Sequence, residues 1–236
     1  SVSIIVSARN EEKNIAELLD RLNAQNYSKD KYEIIIANDR STDKTEKIIK
    51  EYKDSFSNIK SIFIDKTPLG WSGKKWALTK AISISSGEII LQTDADCLPS
   101  SEWVQSMVNY FQNPNMGFVC GASPLIHADS ILNKIFTMES MIQESVNAGG
   151  INSGLILSCT GRNIAFRKDF FNQINGYSGH HMILSGDDDL LLQKFALQTN
   201  CLISYAIDKN SLVESFAPIG FSDFLKQRLR FASKGL

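Results

Sequence analysis

Short apolar runs alternate with amphipathic segments through the first hundred residues of the chain. Four of these runs are rich in β-branched residues and predict strands, at residues 2–6, 33–38, 59–64 and within 88–97. Between them, apolar residues recur every three or four positions, which is the spacing of one face of a helix. This alternation indicates an α/β fold, with a mostly parallel sheet covered by helices on both faces.

The second half of the chain follows this pattern less regularly. Residues 118–122 predict a strand, and residues 130–146 predict an amphipathic helix. The apolar side of that helix carries Ile131, Ile135, Met138 and Ile142. The pair Gly149-Gly150 predicts a flexible loop directly after it.

Polar residues follow the predicted strands of the first half at their carboxyl ends. They lie at residues 9–11, 39, 70–74 and 94–96. Ligands of parallel sheets bind at this edge, so four separate loops are expected to meet at one site. The chain has neither the Gly-x-Gly-x-x-Gly of dinucleotide-binding proteins nor the Gly-x-x-x-x-Gly-Lys-Ser of P-loop proteins. The predicted ligand site is therefore of neither kind.

Two groups of acidic residues are candidates for chemistry. Asp94 and Asp96 end the fourth strand, where alternate side chains share a face, and two hard oxygen ligands suit Mg²⁺ or Mn²⁺. The alternative is an ordinary boundary between a strand and a loop. Asp187, Asp188 and Asp189 open an apolar helix. They could cap it, but three adjacent carboxylates exceed what a cap needs and also suit metal binding or proton transfer.

Composition supports one globular domain. The 236 residues are 43% hydrophobic and 22% charged, and a net charge of −1 gives no reason to expect nucleic acid binding. Four widely spaced cysteines favour a reducing compartment. No apolar run reaches the ~20 residues that span a bilayer, and no signal peptide is visible. Because the chain starts within a strand and stops within a predicted helix, we expect it to be part of a longer membrane protein.

In their order and spacing, these motifs resemble those of the family-2 inverting glycosyltransferases, whose Rossmann-like fold is called GT-A. The resemblance covers nearly the whole chain. In the first half it is carried by residues 7–12, by Asp39, by Gly73-Lys74-x-x-Ala77-Leu78 and by Thr93-Asp94-Ala95-Asp96. In the second half, Gly186-Asp187-Asp188 is similar to the Glu-Asp pair of the family, with Asp187 in place of the usual Glu.

The last similar motif lies in the C-terminal segment, residues 221–236. Gln227, Arg230 and Phe231 match the Gln-x-x-Arg-Trp motif of membrane-associated members, with Phe231 in place of Trp. The phenyl ring keeps an aromatic face but lacks the indole N–H. After Asp223 the segment carries four basic residues and no acid. It could be a solvated basic helix, a surface for anionic lipid headgroups, or a source of cations for a phosphate-bearing ligand.

The resemblance implies transfer of a sugar from a nucleotide diphosphate sugar, expected to be a UDP-sugar, to a hydroxyl of a lipid or a growing glycan. It implies a Mg²⁺ or Mn²⁺ ion on Asp94 and Asp96, and Asp188 as the general base. The donor-binding residues that it implies are Ala8, Arg9, Glu11, Asp39, Lys74, Asp94, Gln227, Arg230 and Phe231.

The same resemblance suggests how the chain is organised. We expect a single domain with a nucleotide-sugar-binding half, residues 1–115, and an acceptor-binding half, residues 116–236. The full-length protein is expected at the cytoplasmic face of the cell membrane, held there by flanking segments and by the basic C-terminal helix. The residues present here are expected to be soluble by themselves.

Two other functions stay open at this point. A sugar-phosphate nucleotidyltransferase would normally carry a glycine-rich basic loop after its first strand, which residues 7–12 lack. A non-catalytic nucleotide- or sugar-binding module would be expected to have lost acids that this chain retains. Trp71 could stack on a sugar or pack onto the domain. His180 and His181 could contact ligand or be structural.

Overall fold

The computed structural model of the protein describes residues 1–126, 130–183, 186–218 and 220–232. In this part of the chain the strands are β1 (Val2–Ala8), β2 (Tyr32–Asp39), β3 (Ile59–Ile64), β4 (Ile89–Asp94), β5 (Cys97–Pro99), β6 (Met116–Gly121), β7 (Leu125–Ile126), β8 (Ile164–Arg167), β9 (Leu202–Ala206) and β10 (Val213–Phe216). The α-helices are α1 (Ile15–Asn23), α2 (Thr45–Ser55), α3 (Gly73–Ile84), α4 (Trp103–Asn109), α5 (Ile131–Asn152), α6 (Lys168–Gln173), α7 (Asp189–Gln198) and α8 (Phe221–Ala232).

A seven-stranded sheet in the order β3-β2-β1-β4-β8-β6-β9 forms the centre of the molecule. The first four strands of the chain are parallel, β8 is antiparallel to both of its neighbours, and β9 is parallel to β6. Ser7 of β1 is in register with Asp94 of β4, and Ala8 with Asn38 of β2. The carboxyl ends of these strands therefore lie at one edge, as the sequence predicts.

Helices cover both faces of this sheet. In β1, Ile4 and Val6 pack into one apolar cluster with α1 and α4, whereas Ile5 packs into the other with α3 and α7. Strand β2 is buried along its whole length, which is the reason its sequence is apolar on both faces. The predicted α/β fold with a mostly parallel sheet is confirmed.

A small second sheet, β5-β10-β7, lies beside the carboxyl edge of the first. Its central strand, β10, is antiparallel to β5 and parallel to β7. Because β5 follows β4 after a two-residue turn, this sheet anchors the turn that carries Asp96. It also places Ser215 and Phe216 of β10 beside Leu125 and Ile126 of β7.

Helix α5 corrects one prediction. The loop expected at Gly149-Gly150 is absent from the described structure, because α5 continues through both glycines and ends at Asn152. A Cβ atom on Gly150 would lie 2.4 Å from Cδ1 of Leu157, so a larger residue there would have to displace the Leu157 side chain. The chain turns just after the helix, at Gly154, whose φ is +86°. Of the helices in the described ranges, none is both long enough and apolar enough to cross a membrane.

Candidate active site

A cavity of about 1160 Å³ opens at the carboxyl edge of the central sheet. It extends from the end of β1, past β4 and the start of α7, to one side of α5. Among the residues predicted to form the site, those that line it are Ala8, Arg9, Glu11, Asp39, Lys74, Asp94, Asp96 and Asp188. The structure therefore brings together loops that are far apart in sequence.

Asp39, the last residue of β2, forms one end of this cavity. Its two carboxylate oxygens accept hydrogen bonds from Arg40, at 2.7 Å from Nε and 3.1 Å from Nη2. Arg40 has a φ of +53°, a strained conformation that brings its side chain back onto Asp39. Gly73 lies so close that a Cβ atom there would be 2.6 Å from Oδ2 of Asp39. A larger residue at position 73 would therefore have to displace the carboxylate of Asp39, and sequence reasoning missed Arg40 as the partner.

Asp94 and Asp96 both line the cavity, but they do so for a different reason from the one the sequence suggested. Strand β4 ends at Asp94, and Asp96 lies in the turn that follows, so the alternation of side chains along a strand does not apply. The side chain of Asp94 is 27% exposed, and Asp96 is exposed. The turn, held by β5, is what directs both carboxylates into the same cavity.

The charges of Asp94 and Asp96 affect the pKa of the neighbouring Glu11. Burial raises the pKa of Glu11, a hydrogen bond from Asn14 lowers it, and the charges of Asp96 and Asp94 raise it further. The net effect is a pKa above the ordinary value. Three carboxyl groups therefore share this end of the cavity, and a cation there would be stabilised by them.

Lys74, in the first turn of α3, lies between the two halves of the site. Its Nζ atom is 2.8 Å from Oδ1 of Asp94 and 2.8 Å from Oδ2 of Asp187. Burial alone would lower the pKa of Lys74, but the charges of Asp187 and Asp94 raise it well above the ordinary value. An ammonium group at the positive end of a helix is unfavourable by itself, and this pair of carboxylates compensates for it.

The three adjacent acids at the start of α7 have different partners. Asp187 pairs with Lys74. Asp188 caps the helix: its Oδ1 accepts a hydrogen bond from the backbone N–H of Asp189, and its Oδ2 accepts one from the N–H of Gly161, at 2.8 and 2.9 Å. Oδ1 of Asp189 accepts hydrogen bonds from Oγ of Ser158 and from the N–H of Cys159. The cluster is therefore more than a cap, because it fixes the loop 158–161 against α7.

Two buried lysines, which sequence reasoning missed, hold the segment that leads to these acids. Nζ of Lys75 donates hydrogen bonds to the carbonyl oxygens of His180 and Ile183, at 2.8 and 2.9 Å. Nζ of Lys194 donates to three carbonyl oxygens between residues 174 and 178. An ammonium group that donates to several carbonyls fixes the backbone without adding a competing carboxylate. Burial lowers the pKa of Lys194.

Trp71 and the histidine pair lie outside the wall of the cavity in the described structure. The ring of Trp71 packs on Trp76 and His181, with centroids 5.1 and 4.9 Å apart. The carbonyl of His181 accepts a hydrogen bond from the N–H of Ser72 at 2.7 Å. Burial lowers the pKa of His180, and the nearby Lys194 and Lys75 lower it further. These contacts favour the structural interpretation of all three residues.

The C-terminal motif is only partly described. The backbone of α8 includes Gln227, Arg230 and Phe231, but their side chains lie outside the described part of the structure. The neighbouring Arg228 lines the cavity and contacts α5: its Nη1 donates to Oε1 of Gln143 at 2.9 Å, and its Nη2 pairs with Glu139. This arginine of the basic segment therefore faces α5 rather than open solvent.

The donor set at Asp94 and Asp96 fits a hard divalent cation by its chemistry. Both side chains supply carboxylate oxygens, and their charges already act on Glu11. In the described residues, however, no group of three or more His, Cys, Asp or Glu side chains could hold a metal ion by itself. Mg²⁺ is commonly bound by one or two carboxylates together with substrate phosphates, so this site fits a cation that arrives with a phosphate ligand.

Comparisons with known proteins identify the family of the chain. The family profile described as Glycosyl transferase family 2 matches residues 3–174. The probable glycosyltransferase YdaM of Bacillus subtilis (strain 168) is 30% identical over 199 residues, 83% of this chain and 47% of that protein. The beta-monoglucosyldiacylglycerol synthase of Nostoc sp. is 36% identical over 118 residues, 50% of this chain and 25% of that protein. The chain thus spans less than half the length of these two relatives.

A solved structure supports the fold. The mannosyltransferase PcManGT from Pyrobaculum calidifontis, in complex with GDP-Man and Mn²⁺, superposes with a TM-score of 0.73. The superposition covers 98% of this chain and 60% of that chain, at 21% sequence identity. The GT-A fold expected from the sequence is confirmed.

Proposed function

The chain belongs to Glycosyl transferase family 2, and from this premise we propose that it transfers a sugar from a nucleoside diphosphate sugar to an acceptor hydroxyl, with inversion at the anomeric carbon. The observation that carries the proposal is the position of Lys74. Its ammonium group lies 2.8 Å from an acid at the end of β4 and 2.8 Å from an acid at the start of α7. A fixed positive charge between these loops suits the negative charge that collects on a departing diphosphate.

Donor binding is assigned to the end of the cavity formed by β1 and β2. Ala8, Arg9 and Glu11 follow β1, and Asp39 ends β2. Arg40 fixes the carboxylate of Asp39 with two hydrogen bonds. Asp39 can therefore accept a hydrogen bond from the nucleoside without a further loss of side-chain entropy on binding. Gln227, Arg230 and Phe231 remain proposed donor contacts by family resemblance alone.

Asp94 and Asp96 are the residues that would hold Mg²⁺ or Mn²⁺. When bound there with the donor, the ion would act as a Lewis acid that neutralises charge on the diphosphate. The acids would hold the ion and not contact the phosphates directly, because like charges repel, and Lys74 is the chain's own cation beside them. PcManGT, whose structure contains GDP-Man and Mn²⁺, supports this assignment by its similar fold.

Asp188 is the proposed general base. Inversion needs one base on the face opposite the leaving group and no covalent nucleophile. Asp187 is paired with Lys74, and Asp189 holds the loop at Ser158 and Cys159. Asp188 lines the cavity, and two backbone N–H groups fix the direction of its carboxylate. Its task is to accept the proton of the acceptor hydroxyl as that oxygen attacks.

A product analysis tests the proposal. The protein is incubated with Mn²⁺ or Mg²⁺, with octyl β-D-glucoside as the acceptor, and with UDP-glucose, UDP-N-acetylglucosamine or GDP-mannose, and release of the nucleoside diphosphate is measured. These donors carry α-linked sugars, so inversion predicts a β-linked product, which is read from the one-bond coupling between C1 and H1 by NMR. Nucleotide binding without any turnover would favour a non-catalytic binding module, and an α-linked product would contradict inversion.

Membrane association of the full-length protein is a further part of the proposal. It is supported by α8, whose Phe221, Leu225 and Leu229 are exposed in a segment of basic sequence. Phe224 of the same helix stacks on Phe136 of α5, with ring centroids 3.9 Å apart. Co-sedimentation with vesicles, with and without anionic lipid, checks this point: binding that needs the anionic lipid supports it.

A further inference from the structure

Helix α5 exposes the side that the sequence pattern marks as apolar. Ile131 is 79% exposed, Ile135 50%, Met138 58% and Ile142 58%. These four residues are called here the α5 stripe. The opposite side of the helix is buried, and besides Phe136 it buries the polar side chains of Asn133, Thr137 and Ser140. A surface helix normally turns its apolar side inward, so this arrangement is the reverse of the usual one.

The α5 stripe continues directly from the catalytic cavity. Ile135, Met138 and Ile142 line the cavity together with the acids at the start of α7. Met138 and Ile142 also line a second groove of about 510 Å³ on the outer side of α5. The remaining lining of that groove is Lys134, Thr137, Met141, Ser145 and Val146. An apolar path therefore leads out of the cavity and along the helix.

The wall of the cavity nearer the acids is polar. Going round α5 from the stripe, the cavity is lined by Glu139, Gln143, Glu144 and Asn147. Arg162 lies in the facing loop, where its Nε donates a hydrogen bond to Oγ1 of Thr160 at 3.0 Å. These groups can bind hydroxyls, whereas the stripe offers only apolar contact. The cavity thus has a polar part beside Asp188 and an apolar exit.

In the described part of the structure, helix α8 leaves the α5 stripe uncovered. It contacts α5 through Phe224 on Phe136 and through Arg228 on Glu139 and Gln143, which lie to one side of the stripe. Single exposed apolar residues are common on protein surfaces, whereas a contiguous exposed apolar patch often marks a binding site. Its continuity with the cavity indicates that the occupant is part of the substrate.

We propose that the acceptor is an amphiphile, whose hydroxyl-bearing head lies in the polar part of the cavity while its alkyl chain lies along the α5 stripe. The inference rests on the proposed glycosyl transfer and narrows its acceptor to the lipid class. Full burial of one methylene group strengthens binding by about fourfold, and half burial strengthens it by about twofold for each methylene.

Chain-length dependence of binding tests the inference. Isothermal titration measures the affinity of butyl, hexyl and octyl β-D-glucosides, each below its micelle concentration, in the presence of UDP and Mn²⁺. The wild-type protein is expected to bind each glucoside about two- to fourfold more tightly per added methylene. The variant Met138→Gln/Ile142→Gln is expected to lose most of this dependence and to bind the butyl glucoside as before. Glutamine is a good helix former, so α5 should be retained.

Leu197→Gln is the matched control, because Leu197 is 84% exposed on α7 and lies outside the wall of the cavity. It should leave the chain-length dependence unchanged. Equal dependence in the wild type and the stripe variant, or none in the wild type, would overturn the inference. So would a stripe variant that loses only its binding to acceptor-free phosphatidylcholine vesicles, since the stripe would then be a membrane contact.

UDP binding and slow hydrolysis of the donor, measured in the same preparations, separate this inference from the proposed function. Both should be measurable in the wild type and unchanged in Leu197→Gln, because Leu197 lies outside the wall of the cavity. If the protein bound no nucleotide at all, the proposed function would fail whatever the chain-length dependence. If donor turnover were normal without chain-length dependence, only the inference about the acceptor would fail.

Discussion

Replacing Lys74 with methionine keeps much of the side-chain volume but removes the ammonium group between Asp94 and Asp187. The two N–O distances are 2.8 Å, and the side chains of the two acids are only 27% and 11% exposed. At an effective dielectric constant of about 20, one such contact is worth about 6 kcal/mol before desolvation is subtracted. Lys74 itself is 34% exposed, so water screens part of this attraction.

The expected net loss lies between two known limits. Breaking a fully buried ion pair costs about 3–5 kcal/mol, and breaking an exposed one costs about 0–1 kcal/mol. We therefore expect Lys74→Met to lower the free energy of unfolding by about 1–3 kcal/mol. The pKa of Lys74 is higher in the folded protein than in the unfolded chain. The ion pairs of Lys74 therefore stabilise the fold fully at any pH below the pKa of the unfolded lysine, and this stabilisation is lost only as the pH rises above that value. The loss should be constant between about pH 7 and about pH 9.

Urea unfolding measures this loss, and Mn²⁺ adds a second readout. In the wild-type protein a divalent cation at Asp94 must compete with Lys74, whereas in the variant it does not. Without nucleotide the two carboxylates should bind Mn²⁺ only weakly, so Mn²⁺ is added at a concentration high enough to fill the site of the variant, where it should stabilise the variant more than the wild type. At about ten times the dissociation constant, mass action gives about 1.4 kcal/mol.

Lys47→Met is the control, because Lys47 is 77% exposed and lies 3.9 Å from Glu51 in an ordinary helical pair. It should change stability by less than about 0.5 kcal/mol. Two results would refute the reasoning about Lys74. One is a loss of stability no greater than that of the control. The other is equal stabilisation of the wild type and Lys74→Met by Mn²⁺ alone.

Three further substitutions give separate tests. Asp188→Asn should lower kcat by about 10²–10⁴ and leave the Kd of the nucleotide nearly unchanged, measured by steady-state kinetics and calorimetry. Gly73→Ala should weaken nucleotide binding, because its Cβ would lie 2.6 Å from Oδ2 of Asp39; an unchanged Kd would contradict this. In Glu33, burial raises the pKa, but hydrogen bonds from Lys60, Ser3 and Ser86 lower it to about 2. Glu33 should therefore account for about 3 kcal/mol of the stability lost from about pH 4.5 to about pH 2, and Glu33→Gln should remove that share; urea unfolding at each pH measures it.

The parallel half of the sheet and the place of the site could be predicted because local patterns determine them. The apolar runs specify strands, and the residue after each strand lies at the carboxyl edge whatever the loop conformation. The sequence therefore predicts that Asp39, Lys74 and Asp94 lie together, and all three line the cavity.

Long-range packing decided what the sequence could not show. The ion pairs of Lys74 join loops from the two halves of the chain, and no local spacing specifies such a contact. Gly149 and Gly150 predict a loop, but α5 continues through both of them, and the side chain of Leu157 packs against Gly150. Periodicity identified the α5 stripe as one side of a helix, but it cannot tell whether that side faces the core or the solvent.

The central claim is that this cavity transfers a sugar and that Asp188 accepts the proton. Its most direct test is the rate of nucleoside diphosphate release from a panel of UDP- and GDP-sugars with Mn²⁺ and an alkyl glucoside acceptor, compared between the wild type and Asp188→Asn. The account predicts steady release and a β-linked product from the wild type, with at least a hundredfold slower release from the variant at unchanged nucleotide affinity. Equal rates in the two proteins, or tight nucleotide binding without release from the wild type, would contradict it.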